Sequence, residues 1–263
     1  MGVNLATIPN NIKSGDFLPC YDQSHFLSDV DYDILGPRTR AFSGSDSFEF
    51  YQANLITQPL DWKYRNQPVK YSVNKQGYRT QDFSTIDWKE AVVIFGCSMT
   101  FGVGVDDSDT ISNQLSKIIN RPVINMGAPS TSITYQLHNS IIFNANYPTP
   151  KAVVQLWTAV DRTLYYHDNH IVNHGSWDFE QNDYMEQWAL SESHAQVHAM
   201  LASTTSKKLW KDIEYIEASF NPFTATLLDC QLIPVNDQAR DLMHPGEKSI
   251  KTAAELIANN LDI

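Results

Sequence analysis

Short apolar runs alternate with amphipathic segments through the middle of this 263-residue chain. Patterns typical of buried strands cover residues 91–95, 123–125 and 152–157, and the spacing of apolar residues predicts helices over 110–119 and 132–144. Strands that alternate with helices in this way form a parallel sheet with the helices packed on its faces. The pattern therefore predicts an α/β domain, which we assign to residues 89–263.

Each of these three predicted strands is followed by a residue that suits catalysis or substrate binding. Ser98 comes just after the first strand, Gly127 after the second and Thr158 after the third. The carboxyl ends of parallel strands lie at one edge of a sheet, and ligands bind beyond that edge. We therefore expect these residues to converge, which a turn with only a structural role would not require.

Ser98 lies in a glycine-rich turn with the sequence Gly96-Cys97-Ser98-Met99-Thr100-Phe101-Gly102-Val103-Gly104. A turn from strand to helix holds a serine hydroxyl at the rim of a sheet, among backbone N–H groups that stabilise an anion. The pattern is typical of a serine nucleophile. The alternative is a structural turn in which Ser98 only caps the helix, and this short stretch fits both interpretations.

A second candidate pair, Asp241 and His244, precedes a helical pattern over residues 247–261. An acidic residue three positions before a histidine can orient one ring nitrogen while the other accepts a proton from a serine hydroxyl. This division of labour is the one that a serine nucleophile requires. Taken alone, the pair also fits a helix cap or an ordinary surface loop.

Together these motifs resemble those of the SGNH, or GDSL-type, serine hydrolases. Residues 96–105 are similar to the first sequence block of that family, and residues 123–130 are similar to its second block. The last block, D-x-x-H followed by Pro, matches residues 241–245, and the N-x-x-G-Y-R run at 74–79 is similar to a lead-in found in many members. The resemblance covers about residues 70–261.

The resemblance implies a three-layer α/β/α sandwich with a mostly parallel, flavodoxin-like sheet. It also implies that His244 deprotonates Ser98, that Asp241 orients His244, and that the backbone N–H groups of Ser98 and Gly127 bind the oxyanion. Cys97 stands where the family usually has Asp, a change that keeps a small side chain and removes no role of the triad.

The third block of the family, G-x-N-D, is where this chain departs most from the pattern. It corresponds to Thr158-Ala159-Val160-Asp161, so Val160 replaces the Asn whose amide donates to the oxyanion. Loss of one such donor costs about 3 to 4 kcal/mol of transition-state stabilisation. The Thr158 hydroxyl or Arg162 could substitute, and we favour Thr158 because it directly follows the third strand.

Two further regions surround these motifs. Residues 1–88 are rich in turn residues and aromatics with little periodicity, which indicates an N-terminal extension or small β-rich cap. An extension that wraps the domain is favoured over a separate binding module. Residues 162–220 are interpreted as a helical insertion rich in aromatics and histidines, with helices predicted over 186–201 and 206–220.

The side chains of this insertion leave two interpretations open. Its aromatic residues suit stacking on sugar rings, but they equally suit packing of the insertion onto the domain. His194 and His198 have the i,i+4 spacing of a helix face, yet no acidic or cysteine pattern accompanies them. We therefore predict neither a metal nor a cofactor.

Composition excludes several classes of partner. The net charge of −11 disfavours nucleic acid, and no apolar run approaches the roughly 18 residues of a membrane span. The N-terminus has no basic region or long apolar core, so no secretory signal is predicted and a cytoplasmic location is expected. Cys20, Cys97 and Cys230 are widely spaced, which favours free thiols.

The sequence therefore predicts a serine esterase or deacetylase that hydrolyses short-chain acyl esters, with carbohydrate esters as the substrates that the resemblance implies. The candidate substrate-binding residues are Gly127, Thr158, Asp161 and Arg162. One alternative is an O-acetyltransferase, in which a sugar hydroxyl replaces water. Another is a non-catalytic structural or glycan-recognition protein on the same scaffold, which the missing Asn favours and the retained triad disfavours. The sugar, the acyl group and the oligomeric state are left open.

Overall fold

The structure is a computed structural model, and it describes residues 38–167, 170–175 and 191–263. The strands are β1 (Arg38–Arg40), β2 (Tyr71–Val73), β3 (Val92–Gly96), β4 (Val123–Gly127), β5 (Ala152–Trp157), β6 (Thr163–His167), β7 (His170–His174), β8 (Glu214–Ser219) and β9 (Gln231–Leu232). The α-helices are α1 (Phe48–Thr57), α2 (Ser98–Phe101), α3 (Ile111–Ile119), α4 (Ile133–Asn146), α5 (Glu192–Leu209), α6 (Pro222–Leu228) and α7 (Glu247–Asn260).

The central sheet has five strands in the order β4-β3-β5-β8-β9, and every pairing in it is parallel. If only the strands of this sheet are numbered along the chain, starting from β3, the order is 2-1-3-4-5, which is the flavodoxin-like arrangement. Helices α4 and α5 pack on one face, and α3 and α7 pack on the other. The predicted three-layer α/β/α fold is therefore confirmed.

Strand β3, which precedes Ser98, is covered by helices on both of its faces. Val93 and Phe95 face the α4 side, whereas Val92 and Ile94 face the α3 and α7 side, and all four are fully buried. A strand that is covered on both faces needs apolar residues at every position, because neither face meets water. This requirement explains why β3 reads as a continuous apolar run in the sequence.

The predicted bounds of the first strands and helices agree with the structure to within about two residues. Thr110 and Ser132 are the N-caps of α3 and α4, and each side chain accepts a hydrogen bond from a backbone N–H of the first turn. Such caps satisfy donors that have no acceptor inside the helix. The hydroxyl residues before each apolar pattern therefore mark the true helix starts.

The helix predicted over 206–220 is wrong. Helix α5 ends at Leu209, and residues 214–219 form β8, which pairs along its length with β5. Glu217, a charged residue of this strand, is buried. Its carboxylate accepts hydrogen bonds from the Trp157 indole N–H and the Ser203 hydroxyl. Because these donors satisfy the buried charge, a polar residue occupies a core strand.

The region 162–220 is therefore not a helical insertion throughout. It contains the β6–β7 hairpin, the crossover helix α5 and the sheet strand β8. The aromatic residues on which the sugar-stacking interpretation mainly depends, Trp177, Phe179, Tyr184 and Trp188, lie outside the described residues, as does the start of the helix predicted over 186–201. Among the helices of the described ranges, none is both long and apolar enough to cross a membrane.

The described part of the N-terminal extension, residues 38–88, combines the antiparallel pair β1–β2 with helix α1. Tyr64, Tyr71 and Val73 form a buried cluster with Phe101 and Val103, which lie shortly after Ser98. This part of the extension therefore packs directly against the segment that carries Ser98.

Arg79, from the N-x-x-G-Y-R run, joins the extension to the same segment. Its buried guanidinium donates to the backbone carbonyls of Phe101, Gly102 and Val105 and forms an ion pair with Asp107. The planar group supplies five N–H donors in a fixed geometry, which a lysine ammonium cannot reproduce. Arg79 thus fixes the chain that follows α2.

We predict that Arg79→Lys lowers the free energy of unfolding by about 2 to 4 kcal/mol, because buried carbonyls lose their donors. Urea unfolding followed by circular dichroism measures this loss. The matched control is Lys75→Arg, at an exposed site where the ion pair with Asp82 persists. An Arg79→Lys variant as stable as the wild type would contradict the anchoring role.

Candidate active site

Ser98 is the first residue of α2, immediately beyond the carboxyl end of β3, and only 5% of its surface is exposed. The turn requires a residue without a side chain two positions earlier. A Cβ atom on Gly96 would lie 1.8 Å from the Thr100 Oγ1 atom, far closer than the two atoms can approach without a bond. Glycine therefore lets the chain fold back tightly enough to place Ser98 at the edge of the sheet.

The structure brings Ser98, His244 and Asp241 together. Ser98 Oγ lies 2.8 Å from His244 Nε2, although the residues are 146 positions apart, and His244 Nδ1 lies 2.6 Å from Asp241 Oδ2. A carboxylate only accepts hydrogen bonds, so this contact places the ring proton on Nδ1 and the lone pair of Nε2 toward the serine hydroxyl. The arrangement suits His244 to act as a general base on Ser98.

Asp241 is held by four donors. Its Oδ1 atom accepts the backbone N–H groups of Met243 and His244, each at 3.1 Å, and its Oδ2 atom accepts the Ser45 hydroxyl at 2.7 Å as well as the His244 ring. Burial alone would raise the pKa of Asp241, but hydrogen bonds from His244 and Ser45 and the attraction of the His244 ring hold it below the ordinary value. The carboxylate therefore stays ionised beside His244.

The loop that carries Asp241 and His244 is closed on itself before α7 begins. The Ala239 N–H donates to the His244 carbonyl at 2.9 Å, and Leu242 between them has a φ of 59°. A branched residue in the left-handed region is strained, and such strain persists only where surrounding contacts impose it. Here the contacts are those that aim both side chains at Ser98.

The neighbouring Arg240 forms a buried ion pair with Asp46 of the N-terminal extension. Arg240 Nε lies 2.9 Å from Asp46 Oδ1 and Nη2 lies 2.7 Å from Asp46 Oδ2, while the Arg240 N–H donates to the Gly104 carbonyl. Tyr71 also donates its hydroxyl to Asp46. Sequence reasoning missed Ser45 and Asp46, because no local spacing links residues almost 200 positions apart.

The prediction that the Gly127 N–H binds the oxyanion is not supported by the structure. This N–H donates to the buried Asn125 Oδ1 at 2.9 Å, and the Asn125 amide donates in turn to the Thr100 carbonyl. A Cβ atom on Gly127 would lie 2.4 Å from the Phe101 nitrogen. Gly127 therefore allows α2 to pack closely against β4. In the sequence, a glycine after a strand is equally compatible with this packing role and with oxyanion binding.

The structure separates the three remaining candidates for substrate binding. Thr158 is buried at the end of β5, the strand beside β3, and its carbonyl accepts the Thr224 hydroxyl at 3.1 Å. Asp161 and Arg162 line a small cleft together with His194 and His198 of α5. Thr158 thus shares the sheet edge with Ser98, and the roles of all three remain predictions.

The histidines and cysteines add no metal site within the described ranges. The rings of His194 and His198 lie 4.3 Å apart, and no group of three or more His, Cys, Asp or Glu side chains in those ranges could hold a metal ion. Burial, together with His194, lowers the pKa of His198. Cys97 and Cys230 are free thiols, and Cys20 lies outside the described residues.

No family model matches this chain, and no curated protein matches it. Among solved structures, a protein described as a GDSL-like lipase from Bacteroides uniformis ATCC 8492 is 10% identical over 66% of this chain and 95% of its own, with a TM-score of 0.42. The acetyl xylan esterase Est2A from Butyrivibrio proteoclasticus is 13% identical over 68% of this chain and 64% of its own, with a TM-score of 0.42. AlinE4, an esterase of the SGNH-hydrolase family, is 14% identical over 68% of this chain and 100% of its own, with a TM-score of 0.36.

Two of these neighbours, the GDSL-like lipase and AlinE4, carry the name of the family that the sequence motifs resemble. Their identities and TM-scores are low, so the activity of this chain rests on the geometry of its own site.

We predict that Asp241 stabilises the folded protein in a pH-dependent way. Its pKa is lower in the folded than in the unfolded chain, so the stabilisation is complete above the unfolded pKa and is lost as pH falls through the folded one. The difference in free energy of unfolding between wild type and Asp241→Asn should hold near neutral pH and shrink below about pH 4. Urea unfolding across this range measures it.

The control is Asp61→Asn, at an exposed residue, whose difference from the wild type should stay small throughout. A difference for Asp241→Asn that grows on acidification would contradict the assignment of Asp241 as an ionised, stabilised carboxylate.

Proposed function

We propose that the protein is a serine hydrolase of the SGNH type that cleaves short-chain acyl esters, with Ser98 as its nucleophile. The observation that carries this proposal is the unbroken chain of hydrogen bonds from Ser98 Oγ through the His244 ring to Asp241 Oδ2, at 2.8 and 2.6 Å. A structural cap would need none of these contacts, whereas a nucleophile needs all of them.

The reaction begins when His244 Nε2 takes the proton of Ser98 as the serine oxygen attacks the carbonyl carbon of the ester. Asp241 stabilises the imidazolium that forms. The tetrahedral intermediate then collapses: the alkoxide leaves with the proton from Nε2, and the acyl group stays on Ser98. Water, deprotonated by His244, attacks this acyl-enzyme and releases the carboxylic acid, which restores the Ser98 hydroxyl.

Burial supports this division of roles. The side chain of Asp241 is fully shielded from solvent, that of His244 is 15% exposed, and Ser98 is nearly covered. Electrostatic interactions strengthen where water is excluded, so the carboxylate can stabilise the imidazolium effectively. The His244 ring is therefore more exposed to solvent than the Asp241 carboxylate behind it.

For the oxyanion we assign the Ser98 N–H and the Thr158 hydroxyl. The first N–H groups of a helix have no acceptor inside it, which leaves that of Ser98 available. Thr158 follows β5, the strand beside β3, and adjacent strands lie about 4.8 Å apart, so the Thr158 and Ser98 backbones leave the sheet side by side. Val160 offers no side-chain donor.

The proposed substrates are short acyl esters on carbohydrates. The preference for short chains rests on the segments that carry the site, residues 96–105 and 237–246, because neither contains a long apolar stretch that could cover an acyl tail. The proposal that these esters are carried by carbohydrates rests on the sequence resemblance alone. Transfer of the acyl group to a sugar hydroxyl instead of water would use the same acyl-enzyme.

We predict that the protein hydrolyses aryl acetates and that its rate falls for acyl chains beyond butyrate. Ser98→Ala and His244→Ala should be close to inactive, and Asp241→Asn reduced, because each change breaks the proton path. Release of the aryl alcohol from a series of esters, acetate to octanoate, measures both effects.

The matched control is Ser84→Ala, which removes an exposed hydroxyl bonded to Asp82 in the extension. It should retain wild-type rates. A preference for long chains would contradict the proposed substrate class, and a folded wild type inactive on every ester would favour the non-catalytic alternative.

We predict that Thr158→Val lowers kcat by roughly ten- to a thousandfold with little change in the free energy of unfolding, because the hydroxyl acts on the transition state. Thr158→Ser keeps the hydroxyl and should retain most of the activity. Steady-state kinetics with an aryl acetate, alongside urea unfolding, separates the two variants. Equal losses in both would assign Thr158 a packing role instead.

A further inference from the structure

We propose that Ser45 of the N-terminal extension is a positioning residue of the active site, whose hydroxyl holds the Asp241 carboxylate in the orientation that orients His244. This inference rests on the proposed function, because it assigns Ser45 a part in the same reaction. It extends the site beyond the α/β domain to a segment that the sequence motifs do not include.

Ser45 contacts the carboxylate oxygen of Asp241 that also binds the His244 ring. Ser45 Oγ donates to Asp241 Oδ2 at 2.7 Å, and the same oxygen binds His244 Nδ1 at 2.6 Å. Ser45 Oγ also lies 3.5 Å from His244 Nδ1, so the three groups form a compact triangle. Since Asp241 is shielded from solvent, water cannot readily replace the hydroxyl if it is removed.

The extension is built to deliver this hydroxyl. Ser43 and Asp46 exchange two backbone hydrogen bonds across a tight turn, at 3.1 and 3.2 Å, and Gly44 in the turn has a φ of 61°. Asp46 then forms its ion pair with Arg240 at a site where both side chains are at most 4% exposed. The two neighbouring residues of the turn thus bind two neighbouring residues of the loop: Ser45 contacts Asp241, and Asp46 contacts Arg240.

The chemical consequence concerns both geometry and charge. Without the hydroxyl, Oδ2 loses a fixed donor and the carboxylate is free to rotate away from the ring. The donor also offsets part of the negative charge on Asp241 Oδ2, the oxygen that binds the His244 ring. Arg240 and Asp46, the charged groups beside this loop, neutralise each other in their own pair.

The test compares Ser45→Ala, Ser45→Thr and Ser47→Ala in the full chain. Ser47 caps α1 through the Phe50 N–H, so its removal loosens the extension without touching Asp241. We expect Ser45→Ala to lower kcat for an aryl acetate by about three- to tenfold with little change in KM. Ser45→Thr should restore kcat, and Ser47→Ala should change neither kcat nor KM.

A second readout does not require turnover. The proton between His244 Nδ1 and Asp241 gives a downfield NMR resonance, and Ser45→Ala should shift it and speed its exchange with water, whereas Ser47→Ala should not. If the wild type proves inactive, the proposed function fails while this resonance still tests the contact. Wild-type kinetics and an unshifted resonance in folded Ser45→Ala, or equal effects in Ser47→Ala, would overturn the positioning role and leave the hydrolase assignment intact.

Discussion

The buried ion pair between Asp46 and Arg240 is the interaction on which the assembled site depends. It joins the N-terminal extension to the loop that carries the candidate base, and the Arg240 backbone binds the Gly104 carbonyl beyond the candidate nucleophile. Breaking one partner of such a pair typically costs about 3 to 5 kcal/mol, because a charge is left buried without compensation. The extension, the loop and the turn after Ser98, which are distant in sequence, thus meet at Arg240.

The parallel sheet supplies the second constraint, which is the position of Ser98. Strand β3 is an interior strand that is buried on both faces, and the turn after it is compressed against β4. Gly96 and Gly127 permit that compression because a Cβ atom at either would overlap the backbone or side chains of α2. Ser98 is therefore held by the scaffold, while His244 is held by a loop that the extension anchors.

Most of the fold and the grouping of Ser98, Asp241 and His244 could be predicted from the sequence, for reasons that are local. Strands β3, β4 and β5 are apolar at nearly every position because both faces are covered, and Ser98, Asp241 and His244 lie in short motifs. Strand β8 was not predicted, because its buried Glu217 depends on donors from elsewhere in the chain.

Two features of the site also escaped prediction because they depend on contacts. A glycine after a strand suits either an oxyanion donor or close packing, and only the Asn125 contact distinguishes the two for Gly127. Ser45 and Asp46 lie in a turn without a motif, and their partners follow almost 200 positions later.

The central claim is that Ser98 is a nucleophile activated by His244. Incubation with a fluorophosphonate probe, followed by proteolysis and mass spectrometry, tests it directly, because the probe reacts with an activated serine whatever the natural substrate. We expect a single adduct on Ser98 in the wild type and almost none in folded His244→Ala. An adduct on a different residue, or an unlabelled but folded wild type, would contradict it.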